Sequence, residues 1–483
     1  MRRPCVIVVC VTLAWLLCAT SADALTAQLL YKLTAPVPQE GGQFGGLVTI
    51  VDGDIFVSET NRILNEQTGL AGRVYLFDGG TGALKLSIDN PEATNQYGFG
   101  RSLAGGDGRL FATGSGFDDP DRVYAFDATS GAFLYRLDDP SPEIDAVTFS
   151  IAYGENRLLV SDPTHKIGAV ERAGRVLLYE PAAGALDREL LNPEPNQGDG
   201  FGIGPSLAIF DNKVVVGAVS DNYPAGRVWV FDRTTGAVAF TLENPNPGPA
   251  SDSFGFAVAA NESVIAVGAR SDATSGVFAS GTVYLYDATN GSLEHTLVSP
   301  VSQANGDFGH SVALTADGDV VVGAWGEKVN GIDAVGHVYL FDGQTGAMLL
   351  DIPHPEPNWA ALFGLSIAAF EKHLVVGTLG TEVNGLVYAG AVYVFAIVPE
   401  PGSVWLALLP AVVGVFYGRR HRSEIPGARL MKRMMGGPGS VRQKQCERPC
   451  AGKWPDWLWW VRREVRANSN RPNGYTTAST TLI

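Results

Sequence analysis

Four acidic residues recur at matching places along the chain: Asp118, Asp221, Asp272 and Glu327. Each follows a short apolar run and precedes a Gly-containing segment. Residues repeated at equal offsets in a ring would stand at similar radius, and a circle of carboxylates could hold a cation or a basic ligand. The alternative reading is local: each acid caps its own turn through backbone N–H groups. Four aromatic residues share these segments, Tyr223, Phe278, Trp325 and Trp359. They suit stacking on sugar faces or anchoring a protein partner. The search for a catalytic set ends quickly. His165, His295, His310, His337, His354 and His373 show no His-x-x-x-His spacing, and no Gly-x-Ser-x-Gly elbow or phosphate-binding loop occurs. No catalytic residue, metal site or cofactor is therefore expected. Acids brought together from distant repeats leave open a carbohydrate-active enzyme using carboxylates at a shared mouth.

These residues are positioned by a repeat. A Phe-Gly-type step falls at Phe44-Gly45, Phe99-Gly100, Phe149-Ser150, Phe201-Gly202, Phe254-Gly255, Phe308-Gly309 and Phe363-Gly364. About 25 residues after each comes an apolar run, beginning at Gly72, Asp121, Gly174, Gly226, Gly281, Gly336 and Gly390. Successive copies lie 49 to 55 residues apart, a period that signals a repeat architecture. In the copy from Phe201 to Pro245, strands are expected at 201–210, 213–218, 227–231 and 237–242, the first two joined by a two-residue turn at Asp211-Asn212. Similar turns are expected at Asp107-Gly108, Glu155-Asn156, Asn261-Glu262 and Glu371-Lys372. The second and third strands are apolar at consecutive positions, so both of their faces must be buried. A radial stack of four-stranded antiparallel blades does this. The predicted fold is an all-β, seven-bladed propeller over residues 25–397. The last copy lacks a fourth strand, and the chain opens with an unmatched one, Leu29 to Thr34. The N-terminal strand should therefore complete the seventh blade and remove an open edge. The short turns then share one face of the ring, and the long, variable segments bearing the candidate residues share the other, where binding usually sits.

Charge is unevenly placed. Residues 25–397 carry 19 Lys and Arg against 44 Asp and Glu, a balance of −25, which argues against nucleic acid as a partner. All five cysteines lie outside residues 19–445, so no disulfide supports the repeats. Residues 1–24 read as a secretory signal, with Arg2 and Arg3 before an apolar run and a cleavage site at Ala22-Asp23-Ala24. At the other end, Val398-Pro399-Glu400-Pro401 precedes an apolar stretch, for which a short hydrophobic helix is expected, and then Arg419, Arg420 and Arg422. Residues 423–483 are basic and show no periodic pattern. They are either a cytoplasmic interaction tail or sequence read past a lost stop codon, and disorder is expected for both.

Two family resemblances follow from these motifs. The Phe-Gly steps with Gly217-Ala218, Gly268-Ala269 and Gly323-Ala324 resemble FG-GAP repeats, known from the integrin α-subunit propeller and bacterial surface proteins. That resemblance implies a binding or adhesion module, or a structural component of an extracellular matrix. The Pro of the motif survives only in Ser161-Asp162-Pro163. The short turns leave no room for the family's calcium loop, Asp317-Gly318-Asp319 being its nearest fragment, so calcium sites are not carried over. The order at 398–422 resembles the PEP-CTERM sorting signal. It implies an exosortase-type processing enzyme and the inner membrane as partners, with delivery to the cell surface or beyond. The ligand class is then a surface polysaccharide or protein. A partial resemblance to quinoprotein propellers rests on Ala125 to Gly131 and lacks the Trp that completes that motif.

Overall fold

The computed structural model describes residues 25–64, 71–92, 96–116, 122–138, 150–221, 225–248 and 251–399. Among these residues there are seven antiparallel sheets and no helix. Each sheet is one blade, here with strands a to d. Blade 4 has Leu207–Phe210, Lys213–Ala218, Arg227–Asp232 and Val238–Glu243. Blade 5 has Phe254–Ala260, Val264–Ala269, Thr282–Asp287 and Leu293–Val298, and blade 6 has Phe308–Leu314, Val320–Ala324, His337–Phe341 and Met348–Pro353. Strands b and c are buried along nearly their whole length, as their unbroken apolar runs require.

The ring closes as the repeat arithmetic demands. Blade 7 takes Ser366–Phe370, His373–Thr378 and Ala391–Pro399 from the end of the chain. Its fourth strand is Leu25–Leu33, pairing antiparallel with the third from Leu25 opposite Pro399 to Leu33 opposite Val392. Val398 and Pro399 thus belong to a paired strand of the propeller, while the remainder of the motif, from Glu400, lies outside the described residues. So do the signal segment, the expected hydrophobic helix and the tail. Seven apolar clusters fill the molecule, each shared by two neighbouring blades. An open stack of seven blades would have six. The seventh joins Val375, Val392 and Val394 of blade 7 to Phe44, Ile55 and Tyr75 of blade 1.

The Phe-Gly step makes the junction between blades. Its Phe is fully buried against aromatic residues of strand c in its own blade, as Phe308 is against Tyr339 and Phe341 at 5.8 and 5.9 Å. Its backbone meets the preceding blade. Phe308 N donates to Ser280 O at 3.0 Å, Phe363 N to Val335 O at 2.9 Å and Phe44 N to Ala389 O at 3.0 Å. A Cβ on Gly281, Gly336 or Gly390 would sit 2.0 to 2.1 Å from the carbonyl oxygen of the Phe that follows in the ring. A second Gly contact lies beside it: a Cβ on Gly323 would meet Gly364 O at 2.1 Å. The recurring glycines are therefore the space into which the next blade's backbone fits.

Three expectations need correction. Strand a of blade 4 begins at Leu207, not Phe201. Gly200, Gly202 and Gly204 adopt positive φ and interrupt the pairing, leaving an isolated bridge from Phe201 to Ala218. The a–b turn of blade 5 has three residues, Asn261 to Ser263, because Asn261 Oδ1 accepts from both Ser263 N and Val264 N. In blade 2, two short strands, Gln96–Tyr97 and Leu103–Gly106, both pair with strand b.

The glycine space is testable by a matched pair. Gly281 and Gly331 both have positive φ, 85° and 80°, but nothing lies within 4 Å of a Cβ built on Gly331. Gly331→Ala should cost only the left-handed backbone strain, about 1–2 kcal/mol. Gly281→Ala adds the clash with Phe308 and should lower Tm several times further in a thermal melt. Equal shifts would remove the junction from the account.

Candidate functional site

The recurrent acids are buried and face into their own blades. Asp221 is 2% exposed and accepts from Trp229 Nε1 at 3.1 Å. Asp272 is 1% exposed and accepts from Tyr284 OH at 2.7 Å and Thr274 N at 2.5 Å. Glu327 is fully buried, with Tyr339 OH at 2.6 Å, His337 Nδ1 at 3.1 Å and the Ser299 hydroxyl against it. Each thus holds the aromatic residue of strand c, and Asp272 also caps its own turn. The turn-capping arrangement is present at Asp272, side-chain partners replace it at Asp221 and Glu327, and the three do not form an open circle of carboxylates. Asp118 and Tyr223 lie outside the described residues. Among the described residues no group of three or more His, Cys, Asp or Glu is placed to hold a metal ion.

Two members of this set escape a reading by sequence offset. Glu59 accepts from Tyr75 OH at 2.6 Å, and Asp162 from Arg175 Nε at 3.0 Å and Thr164 Oγ1 at 2.8 Å. Both sit at the end of strand b, where Ala218 stands in blade 4, three residues before Asp221. Their signal in the sequence is the partner, the polar or aromatic residue near the start of strand c. Burial raises the carboxyl pKa of Glu59 and Asp221 and the phenol pKa of Tyr75, Tyr284 and Tyr339.

The half-buried Trp325 and the exposed Phe278 and Trp359, in contrast, stand on neighbouring loops. On the face carrying the b–c and d–a loops, blade 6 has a groove of about 610 Å3 lined by Gln303, Asn305, Asp307, Trp325, Lys328 and Asp333, among others. Phe278, 68% exposed, borders it from blade 5: Asn305 N donates to Phe278 O at 3.1 Å. Trp359, 66% exposed, borders it from the loop before blade 7, where the next residue, Ala360, donates through its N–H to Asp333 O at 3.2 Å. Trp325 therefore lines the depression, and the loops bearing Phe278 and Trp359 are bonded to its rim on either side.

The groove is rigidly framed. Its outer wall is the b–c loop of blade 6, which turns at Val329-Asn330-Gly331-Ile332. Asn330 and Gly331 have φ of 52° and 80°, and Val329 and Ile332 exchange backbone hydrogen bonds at 3.1 and 3.0 Å, the geometry Asn-Gly favours in a two-residue hairpin. Gln303 bonds Lys328 N at 3.0 Å and Lys328 O at 3.1 Å, and Lys328 pairs with Asp333 at 2.6 Å. Its inner end is a packed cluster at the ring's axis. Trp325 meets His310 edge-on at 5.6 Å. The Arg270 guanidinium lies 4.0 Å over the Phe256 ring and donates to His310 Nδ1 at 3.3 Å. His310 in turn lines a central channel of about 330 Å3. Burial, reinforced by Arg270, pushes the His310 imidazole down to about 3, so it is neutral and accepts from Arg270. Burial pushes the Asp307 carboxyl up to about 6 against the opposing pull of Arg270. The Asp307 backbone bonds Ala279 O and His310 N, and no side-chain hydrogen bond of Asp307 is made among the described residues.

Asp307 supplies a pH test. Its folded-state pKa lies above the carboxylate value of about 3.9 expected in the unfolded chain. The stability it contributes is fully present below about pH 4 and lost as pH rises through about 6. Asp307→Asn should therefore melt higher than the parent at pH 7, with the gap closing below about pH 4. A gap independent of pH would refute the burial of this carboxyl.

No curated protein matches the chain. The FG-GAP repeat family matches residues 245–286 and 292–341, which run through blade 5 and blade 6 as far as the end of strand c. These matches and the seven-bladed ring together support an FG-GAP-type β-propeller scaffold, consistent with a binding module.

Proposed function

We propose that the protein is an exported surface or matrix protein whose propeller binds polysaccharide through the blade-6 groove. The observation that carries this reading is a groove lined by Trp325 whose rim is bonded to the loops bearing the exposed Phe278 and Trp359. Aromatic faces at intervals suit successive rings of an extended glycan. The planar polar side chains between them, Gln303, Asn305 and Asp307, suit hydroxyl groups. Little side-chain order is lost on binding, because the loops are already bonded to one another. The charge balance of the body sets aside nucleic acid.

Export rests on the leader at residues 1–24 and on the C-terminal order of Pro399-Glu400-Pro401, apolar stretch and Arg cluster. The inner membrane and an exosortase-type enzyme are the partners this order proposes. N-terminal sequencing of the exported protein should give Leu25 as its first residue; retention of the leader would contradict export by this route.

Binding is tested on a glycan array with the purified protein. Trp325→Ala and Trp359→Ala should each weaken binding about tenfold, or ~1.4 kcal/mol. Phe370→Ala, at an a–b turn on the opposite face, should leave it unchanged. Equal loss from all three, or loss from Phe370→Ala alone, would move the site off this groove.

A further inference from the structure

The central channel differs from the rest of the molecule in its charge. Residues that open strand a in six of the seven blades line it, among them Leu47, Leu103, Ile151, Pro205, Val312 and Leu365. No carboxylate lines it, although the body carries a balance of −25. Three of its four serines are already engaged between blades. Ser102 Oγ accepts from Ile151 N at 3.1 Å, and Ser311 and Ser366 donate to Gly364 O and Gly45 O at 2.7 and 3.0 Å. What remains is a largely aliphatic wall with one cation, Arg101, since burial keeps His310 neutral.

Arg101 directly follows the Phe99-Gly100 step and is exposed. It makes no ion pair or side-chain hydrogen bond among the described residues. Other arginines of the ring are engaged with carboxylates: Arg73 with Asp89, Arg157 with Asp187 and Arg227 with Glu194. A free guanidinium fork can bond both oxygens of a carboxylate, and the apolar wall beside it favours hydrocarbon. One guanidinium balances one negative charge, which suits a carboxylate better than a doubly charged phosphate. The channel's volume of about 330 Å3 lies at the small end of small-molecule sites, roughly 300–1,000 Å3.

We infer that the central channel is a second binding site, for a small amphiphilic carboxylate such as a medium-chain fatty acid, its carboxylate on Arg101 and its hydrocarbon chain against Leu47, Leu103, Val312 and Leu365. The site does not rest on the groove reading. His310 on the channel side and Trp325 on the groove side stand between the two.

The test is calorimetric titration of the full chain with octanoate and with octanol, its uncharged counterpart. Octanoate should bind at least about tenfold more tightly, or ~1.4 kcal/mol. Arg101→Gln should erase that preference and leave the Tm of the ligand-free protein unchanged, because the side chain has no partner to lose. Arg101→Lys, which keeps the charge but not the fork, should retain part of the preference. Leu365→Trp, which fills the channel, should weaken both ligands alike. Equal binding of octanoate and octanol by the parent, no binding of octanoate, or a preference that survives Arg101→Gln overturns the channel site.

Discussion

The structure depends on one steric fit, the Phe-Gly backbone of a blade lying in the space left by glycines of the blade before it, as at six junctions among the described residues. The Phe side chain fills the core of its own blade while its peptide bonds to the previous one. Each repeat is therefore incomplete alone, because one face of its sheet and one end of its first strand are finished only by a neighbour. Six such fits lie among the described residues; seven blades joined in series have no free end only in a ring, and the ring has no free end only if the first strand of the chain joins the last blade. Lys32 strengthens this join, pairing with Glu356 at 2.6 Å, while Glu356 also accepts from Tyr393 OH at 3.2 Å.

The same fit determines what the loops can do. Strand ends are fixed by the blade junctions, so the b–c and d–a loops emerge at set positions and bond to one another around the face. Links such as Asn305 N to Phe278 O and Ala360 N to Asp333 O join consecutive blades into a belt. Acids in this belt are used up in holding strand c. What stays available is the set of residues that point away from the junctions: Phe278, Trp359, the open side of Trp325, and Asp307. A scaffold that spends its carboxylates on its own tyrosines binds through aromatic faces and the few polar groups it leaves unpaired.

The repeat, the two-face burial of strands b and c and the missing fourth strand were legible because each is a periodic or counting property of the chain. The role of the acids was only half legible. Asp221, Asp272 and Glu327 occupy one offset, yet Glu59 and Asp162 reach an equivalent partner from three residues earlier, and offset alone conceals that equivalence. Strand a of blade 4 was read too long because an apolar run containing Gly202 and Gly204 resembles a strand until their positive φ is known. The gathering of Phe278, Trp325 and Trp359 was not legible at all. They stand in three segments spanning two repeats, and only the bonds from Asn305 to Phe278 and from Ala360 to Asp333 bring their loops to one groove.

Hydrogen–deuterium exchange of the full chain, with and without a saturating oligosaccharide that it binds on the array, tests the central claim most directly, that the rigid loop belt at blade 6 is the binding surface. The account predicts slower exchange confined to segments 303–307, 325–335 and 357–362, with the strands of all blades unchanged. Protection on the a–b and c–d face, or spread evenly over the ring, would contradict it.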